Sequence, residues 1–247
     1  MQVDGILLDI EGTTSSVSFV YDVMFPYVRK HLSFEVATNW AESEYVAAFE
    51  AIARDAGHDS LNAWLKSREL SVEQPLRAAI VICEEVTRLM DADSKSMGLK
   101  QLQGLIWKSG FESGELKAHV YEDVPRALER WNEAGKDVRI YSSGSVQAQK
   151  LFFGHTLFGN LLDRFRGHYD TATGPKRIAA SYEKIAAEFG VPARKILFLS
   201  DIVAELDAAR TAGMQTALVS RPGNATGQSS PEPGHPEITN FAQLEIS

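Results

Sequence analysis

The chain has 247 residues, of which 44% are hydrophobic and 23% charged, as in an ordinary globular protein with a sizeable core. Its net charge of -8 at pH 7, without a long basic run, argues against nucleic acid as a partner. The single cysteine, Cys83, excludes an internal disulfide and falls in an apolar run that we interpret as part of a buried helix. No apolar stretch approaches the roughly 20 residues of a membrane span, and the N-terminus is unlike a signal peptide, so we expect a cytoplasmic protein.

The first predicted element is a strand over residues 6–8, which ends at Asp9. Glu11 follows two residues later, and Gly12 permits a sharp turn behind it. In open α/β sheets, ligands bind beyond the carboxyl ends of the strands. The two carboxylates are therefore placed for metal-assisted chemistry, although a strand that merely ends in a polar turn has the same pattern.

A long helical region follows the first strand. Ser60 is a plausible N-cap within it, and Pro75 suits the first turn of a helix. Because strand patterns are absent, we predict that residues 16–115 form a helical insertion. It interrupts a core domain of residues 1–15 and 116–247. Apolar residues recur at helical spacing over 20–32, 34–56, 73–90 and 98–111.

From Val124 onwards, helices and strands alternate. This alternation implies right-handed crossovers, and it predicts an α/β core domain with a Rossmann-like parallel sheet. Residues 221–236 are rich in proline and glycine, which predicts a long, mobile loop. The predicted strands are 137–141, 195–201 and 215–219. The predicted helices are 125–135, 146–153, 178–189 and 204–212.

Polar residues follow the predicted strands. Ser142 and Ser143 come after the second strand, Asp201 ends a later one, and Lys176 lies in a loop between them. A parallel sheet would gather all of these at one edge, together with Asp9. A carboxylate nucleophile, metal ligands, hydroxyl donors and a fixed cation suit phosphoryl transfer. The serine pair also fits a helix N-cap, a role that can coexist with anion binding, and Lys176 taken without its neighbours fits a solvated loop lysine better.

These residues resemble, in order, the four motifs of the haloacid dehalogenase-like superfamily. The first motif is matched by Asp9, Glu11 and Thr13, with glutamate in place of the usual second aspartate. The other three are matched by Ser142, by Lys176, and by Asp201 with Glu205. Five segments resemble more narrowly the enolase-phosphatases of methionine salvage. The resemblance runs nearly end to end and implies that the helical insertion of residues 16–115 is the cap domain of that family. These segments are 8–14, 100–104, 141–146, 148–151 and 221–225.

The resemblance implies an activity and a cofactor. The substrate would be 2,3-diketo-5-methylthiopentyl 1-phosphate, a small phosphorylated diketone that is enolised and then dephosphorylated to the acireductone. One Mg²⁺ ion per chain would be the cofactor, and we expect a monomer. The implied residues are Asp9, Glu11 and Lys176 for catalysis, and Ser142, Ser143 and Lys176 for substrate binding. The others are Asp9, Glu11 and Asp201 for the metal, and Thr13 and Glu205 as supports.

Several alternatives stay open. Glu11 would hold the metal through its side chain or its main-chain carbonyl, and the base for enolisation is either Glu11 or a cap residue. Trp107 is either a core residue or part of an apolar pocket for the methylthio group. The chain could instead act on another phosphorylated metabolite, be a metal-free dehalogenase, or be a catalytically silent binding protein. Glu11 and Asp201 argue against the dehalogenase, because displacing a halide needs no metal.

Overall fold

A computed structural model describes residues 1–223 and 234–246. The chain divides into two compact units, one of Met1–Tyr21 with Lys117–Ser247 and the other of Asp22–Leu116. The chain thus passes from the first unit to the second after Tyr21, which is further along the chain than the predicted boundary at residue 15. Assigning the second unit as a cap domain stays a prediction. In the described part of the chain, no helix is both long and apolar enough to cross a membrane.

The unit of Asp22–Leu116 is helical, and Ser60 and Pro75 stand where the sequence predicts. The Ser60 side chain accepts a hydrogen bond from the amide of Ala63, and Pro75 is the first residue of its helix. A π-helix, Phe19–Met24, crosses the boundary into this unit. The α-helices of the unit are α1 (Phe25–Thr38), α2 (Ser43–Asp55), α3 (Leu61–Ser67), α4 (Pro75–Asp91) and α5 (Met97–Ser113).

The predicted helices over 20–32 and 34–56 are wrong in their bounds. Helix α1 continues through residue 34 because Val28, Leu32 and Val36 form one buried stripe at helical spacing. The chain turns only after Thr38, so the second helix begins at Ser43. Residues 19–24 form a π-helix instead of the first turns of α1.

Cys83 and Trp107 lie in the helical unit as core-facing residues. Cys83 is half-buried on α4 and packs against the hydrophobic core of the unit. Burial raises the pKa of its thiol, which keeps the sulfur neutral. The indole nitrogen of Trp107 donates to the carbonyl of Met24 at 2.9 Å, and its ring lies 6.0 Å from that of Phe25. These contacts favour the core interpretation of Trp107.

The first unit contains a six-stranded parallel sheet, which confirms the predicted α/β fold. Strand β1 lies in the middle, and Leu8 pairs with Ile140 on one side and Leu199 on the other. The residues that follow these three strands therefore share one edge of the sheet. The strands are β1 (Gly5–Leu8), β2 (Asp137–Tyr141), β3 (Gly167–Tyr169), β4 (Ile196–Ser200), β5 (Gln215–Val219) and β6 (Glu237–Ile238), in the order β3-β2-β1-β4-β5-β6.

Four helices of this unit lie close to their predicted bounds. Strands β3 and β6 are not predicted, because three and two residues are too few to show an alternating pattern. Of the predicted loop over 221–236, residues 224–233 lie outside the described residues. The helices are α6 (Asp123–Glu133), α7 (Val146–Gly154), α8 (Ala179–Phe189) and α9 (Val203–Thr211).

Candidate active site

The loop after β1 holds Asp9 in a fixed, buried position. The amide of Asp9 donates to Leu199 of the neighbouring strand at 3.0 Å, and its carbonyl accepts from the Thr14 hydroxyl at 3.2 Å. Gly12 turns the chain at a φ of 78°, a conformation that favours glycine. The side chain of Asp9 is only 4% exposed. The loop thus presents one carboxylate at the edge of the sheet with little freedom.

Lys176 lies directly against this carboxylate. Its Nζ is 2.6 Å from Asp9 Oδ1 and 2.7 Å from Glu205 Oε2. Burial favours the neutral amine most strongly, but attraction to the two carboxylates outweighs it and raises the pKa of Lys176 above its usual range. The interpretation of Lys176 as a solvated loop lysine is therefore wrong. The tertiary fold brings a distant loop to Asp9.

Asp201 and Glu205 add negative charge to the same cluster. Asp201 follows β4, and Glu205 lies in the first turn of α9, where it accepts from the Ser200 hydroxyl at 3.0 Å. Burial, then repulsion from Asp9 and Glu205, raises the pKa of Asp201 to about 7. Burial and Asp9 raise the pKa of Glu205 in the same way. One lysine thus faces three carboxylates, and the surplus negative charge favours a bound cation.

Asp201 supplies a direct test of whether a metal fits. Its Oδ1 is buried and has no hydrogen-bond partner among the described residues. Those residues contain no group of three His, Cys, Asp or Glu side chains arranged around one point. A metal ion here would therefore be bound by the carboxylates of Asp9 and Asp201 together with a main-chain or water oxygen. The main-chain alternative for Glu11 is of this kind. Hard oxygen donors and retained water suit Mg²⁺.

Ser142 and Ser143 follow β2, the strand beside β1. Ser142 is buried, and its hydroxyl accepts from the Gly144 amide at 3.3 Å, whereas Ser143 is exposed. Neither residue caps helix α7. Its N-cap is Ser145, whose hydroxyl accepts from Ala148 at 3.2 Å. The N-cap interpretation of the serine pair is therefore wrong, because two further residues separate it from the helix.

Thr13 supports the site through its main chain. Its carbonyl accepts from Arg221 Nε at 2.9 Å, while its own hydroxyl is buried and has no partner in the described residues. Arg221 also contacts both carboxylate oxygens of Asp123 at 2.9 Å and lies between the rings of Tyr121 and Phe241. Arg221 is the first residue of segment 221–225, one of the segments that carry the resemblance. Residues 224 and 225 of this segment lie outside the described residues.

Gln149 is a further residue that sequence reasoning missed. Its side chain is buried on α7, and Nε2 donates to Gly144 and Tyr169 carbonyls at 2.8 Å each. Oε1 lies 3.3 Å from His168 Nδ1, which places the donor proton on that nitrogen. Gln149 thus ties the serine loop to β3. The only signal in the sequence was its place in segment 148–151, because helical periodicity does not distinguish a buried amide from an exposed one.

Comparisons with known proteins agree with this geometry. The haloacid dehalogenase-like hydrolase family matches residues 3–213. The chain is 43% identical over 246 residues to the enolase-phosphatase E1 of Pseudomonas aeruginosa strain UCBPP-PA14, covering 100% of both chains. It is 45% identical over 229 residues to that of Synechococcus elongatus, covering 92% of each. A solved structure, the Unknown transcript 4 protein of Saccharomyces cerevisiae, is similar with a TM-score of 0.75 at 35% identity, covering 98% of this chain and 100% of that chain.

Proposed function

This chain belongs to the haloacid dehalogenase-like hydrolase family and, within it, to the enolase-phosphatases; we propose on that basis that it acts in methionine salvage. The substrate is 2,3-diketo-5-methylthiopentyl 1-phosphate. The products are the acireductone 1,2-dihydroxy-3-keto-5-methylthiopentene and phosphate. The observation that carries the proposal is the buried contact of Lys176 with Asp9, beside an Asp201 oxygen that lacks a partner among the described residues.

Asp9 acts as the nucleophile of the phosphatase step. Its carboxylate attacks phosphorus, the bond to the enol oxygen breaks, and an aspartyl-phosphate forms. Lys176 is a fixed cation within 2.6 Å of Asp9 and so stabilises the charge that develops on the transferring group. Glu11 gives a proton to the leaving oxygen. It then takes one from the water that hydrolyses the aspartyl-phosphate, which restores Asp9.

Enolisation precedes this step. The carbon that bears the phosphate ester loses a proton, which the neighbouring carbonyl acidifies, and the electron pair moves to the carbonyl oxygen. Ser142 and Ser143 donate hydrogen bonds to phosphate or enolate oxygens. The proton is taken up by Glu11, whose side chain is one methylene longer than the usual aspartate, and later goes to the leaving oxygen. The proton that Glu11 takes from water finally goes to the enolate oxygen, which completes the dihydroxy product and restores Glu11.

One Mg²⁺ per chain, held by Asp9, Asp201 and an oxygen of Glu11, would neutralise the repulsion between the nucleophile and the phosphate. Glu205 holds Lys176 in place, and Thr13 anchors the nucleophile loop through its carbonyl. A monomeric state and a cytoplasmic location stay predictions from the sequence.

Turnover of the diketone phosphate tests the proposal. We expect ultraviolet absorbance of an enol intermediate, followed by release of phosphate. Neither step should occur when the wild-type protein is left out. Mg²⁺ should be required for phosphate release. Phosphate release from other small phosphorylated metabolites, without turnover of the diketone, would instead support the broader phosphatase alternative.

A further inference from the structure

The loop that carries Lys176 is held by side chains that the mechanism does not use. This loop, residues 173–178, is the second part of the connection from β3 to α8 and has no helix or strand structure of its own. Three consecutive carbonyls in it each accept a hydrogen bond from a hydroxyl group. The pairs are Tyr141 to the Gly174 carbonyl at 2.7 Å, Ser181 to the Pro175 carbonyl at 2.8 Å, and Tyr182 to the Lys176 carbonyl at 2.7 Å.

The three donors belong to rigid parts of the core unit. Tyr141 is the last residue of β2, and Ser181 and Tyr182 lie at the start of α8. All three side chains are buried, and the two tyrosine rings meet edge to face at 5.4 Å. The hydroxyl groups therefore have fixed positions, which the loop must match.

The loop depends on these donors. Within the described residues, the carbonyls of Gly174 and Lys176 accept no main-chain hydrogen bond, so that a hydroxyl is the donor for each. Gly174 has a φ of 153°, and a Cβ atom there would lie 2.3 Å from the Ser181 hydroxyl. A side chain at residue 174 would strain the backbone and displace the Ser181 hydroxyl from the Pro175 carbonyl. Removing the hydroxyl of Tyr141 or Tyr182 leaves a carbonyl without its partner and loosens the loop, whereas the Pro175 carbonyl would keep the amide of Ile178.

We propose that Tyr141, Ser181 and Tyr182 form a hydroxyl clamp that positions Lys176 for phosphoryl transfer. The clamp fixes the main chain of Lys176, so that its ammonium group stays between Asp9 and Glu205. Stabilisation by a fixed charge is sensitive to misplacement on the order of 1 Å, which can cost about a hundredfold in rate. The clamp residues are positioning residues. Their role in transferring phosphate rests on the proposed function.

Single-atom deletions test the clamp. Tyr141→Phe and Tyr182→Phe, alone and combined, remove hydroxyls but keep the rings, including the one 5.7 Å from Lys176 Nζ. A matched control is Tyr27→Phe in the helical unit, where the hydroxyl donates to Glu115 at 2.8 Å. The readouts are kcat, KM and the inhibition constants of orthovanadate and inorganic phosphate with Mg²⁺ present. An inhibition constant does not depend on the fraction of protein that is folded.

We expect the double variant to bind orthovanadate about tenfold more weakly and to lose about tenfold in kcat, because the cation contributes most in the transition state. KM and the phosphate constant should change less, and the control should match the wild type. Wild-type affinity for orthovanadate in the double variant would overturn the proposal. If the double variant does not fold, the single variants and Ser181→Ala carry the same test, with smaller expected losses.

Amide hydrogen exchange separates the clamp from the proposed function. Each lost tyrosine hydroxyl should speed the opening of residues 173–178 by about tenfold, whatever the reaction is. Unchanged exchange there would refute the clamp itself. A wild-type protein that neither binds phosphate or orthovanadate nor releases phosphate would instead refute the proposed function, while the exchange data would still decide whether the clamp exists.

Discussion

Two electrostatic interactions of Asp9 determine the effect that we expect from replacing it. It contacts the ammonium of Lys176, and its charge raises the pKa of Asp201 and Glu205. Replacing the carboxylate therefore removes the proposed nucleophile and also relieves repulsion among the remaining acids. We therefore expect a substitution of Asp9 to lower the reaction rate far more than the free energy of unfolding.

Asp9→Asn should lower phosphate release by at least about a thousandfold, since a neutral amide cannot attack phosphorus. Enol formation should persist in part if the substrate still binds. Phosphate release and enol absorbance measured on the same sample check this, with near-ultraviolet circular dichroism as the control for folding. Substantial phosphate release by the variant would remove Asp9 from the role of nucleophile.

Glu11→Asp keeps the charge and shortens the reach of the side chain. If the extra methylene serves the carbon-proton transfer, enol formation should fall more than dephosphorylation of a supplied enol phosphate. We expect a difference of about tenfold between the two steps. Rates for the diketone phosphate and for the enol phosphate give the comparison. Equal losses, or none, would place the enolisation base elsewhere in the chain.

At the scale of elements, strand β3 joins the sheet to the serine loop through His168 and Gln149. Burial, and then the positive charge of Lys150, lowers the pKa of His168 from 6.5 to about 4. Between these values the unfolded chain binds a proton that the folded chain does not. Stability is therefore full above pH 6.5 and falls as the pH drops towards 4.

His168→Asn places an amide donor near Gln149 but cannot titrate in this range. Between pH 7 and pH 5, the wild type should lose about 1 kcal/mol more of its free energy of unfolding than the variant, roughly half of the full linkage value, because solvent screens the partly exposed ring. Urea unfolding at the two pH values measures this difference, and other titrating groups cancel because both proteins share them. Parallel losses in the two proteins would show that His168 does not set the pH dependence.

At the scale of the whole molecule, three carboxylates and one lysine form an excess of negative charge inside the core unit. Mg²⁺ should bind the folded chain and not the unfolded one. At 100 times its dissociation constant, it should add about 2.7 kcal/mol to the free energy of unfolding, or roughly 5–10 °C in Tm. Thermal unfolding with Mg²⁺ and with a chelator measures the shift.

Asp201→Asn is the control for this site and should abolish most of the shift. Chelation should also stop phosphate release, and added Mg²⁺ should restore it. Ca²⁺ should stabilise the fold but support little turnover, because its looser coordination misplaces the reacting groups. Full activity in excess chelator would contradict the metal-dependent mechanism and favour a metal-free one.

Local patterns in the sequence determined most of the fold of this protein. Buried strands such as β4 read as continuous apolar runs, and the alternation of elements implied a parallel sheet. Asp9 and Asp201 were recognisable because each directly follows such a run. The short strand β3 and the extent of α1 were not recognisable, since their form depends on what they pack against.

The tertiary structure alone decided which residues meet. Lys176 is 167 positions from Asp9 in the sequence, and its loop has a local sequence that also fits a solvated lysine. Only the tertiary fold places its ammonium group between the carboxylates of Asp9 and Glu205. The contacts of Gln149 and of the three clamp hydroxyls were likewise not predictable, because their acceptors are main-chain carbonyls, which every residue carries. Sequence patterns report periodicity and residue type, whereas burial and hydrogen-bond partners are properties of the packed chain.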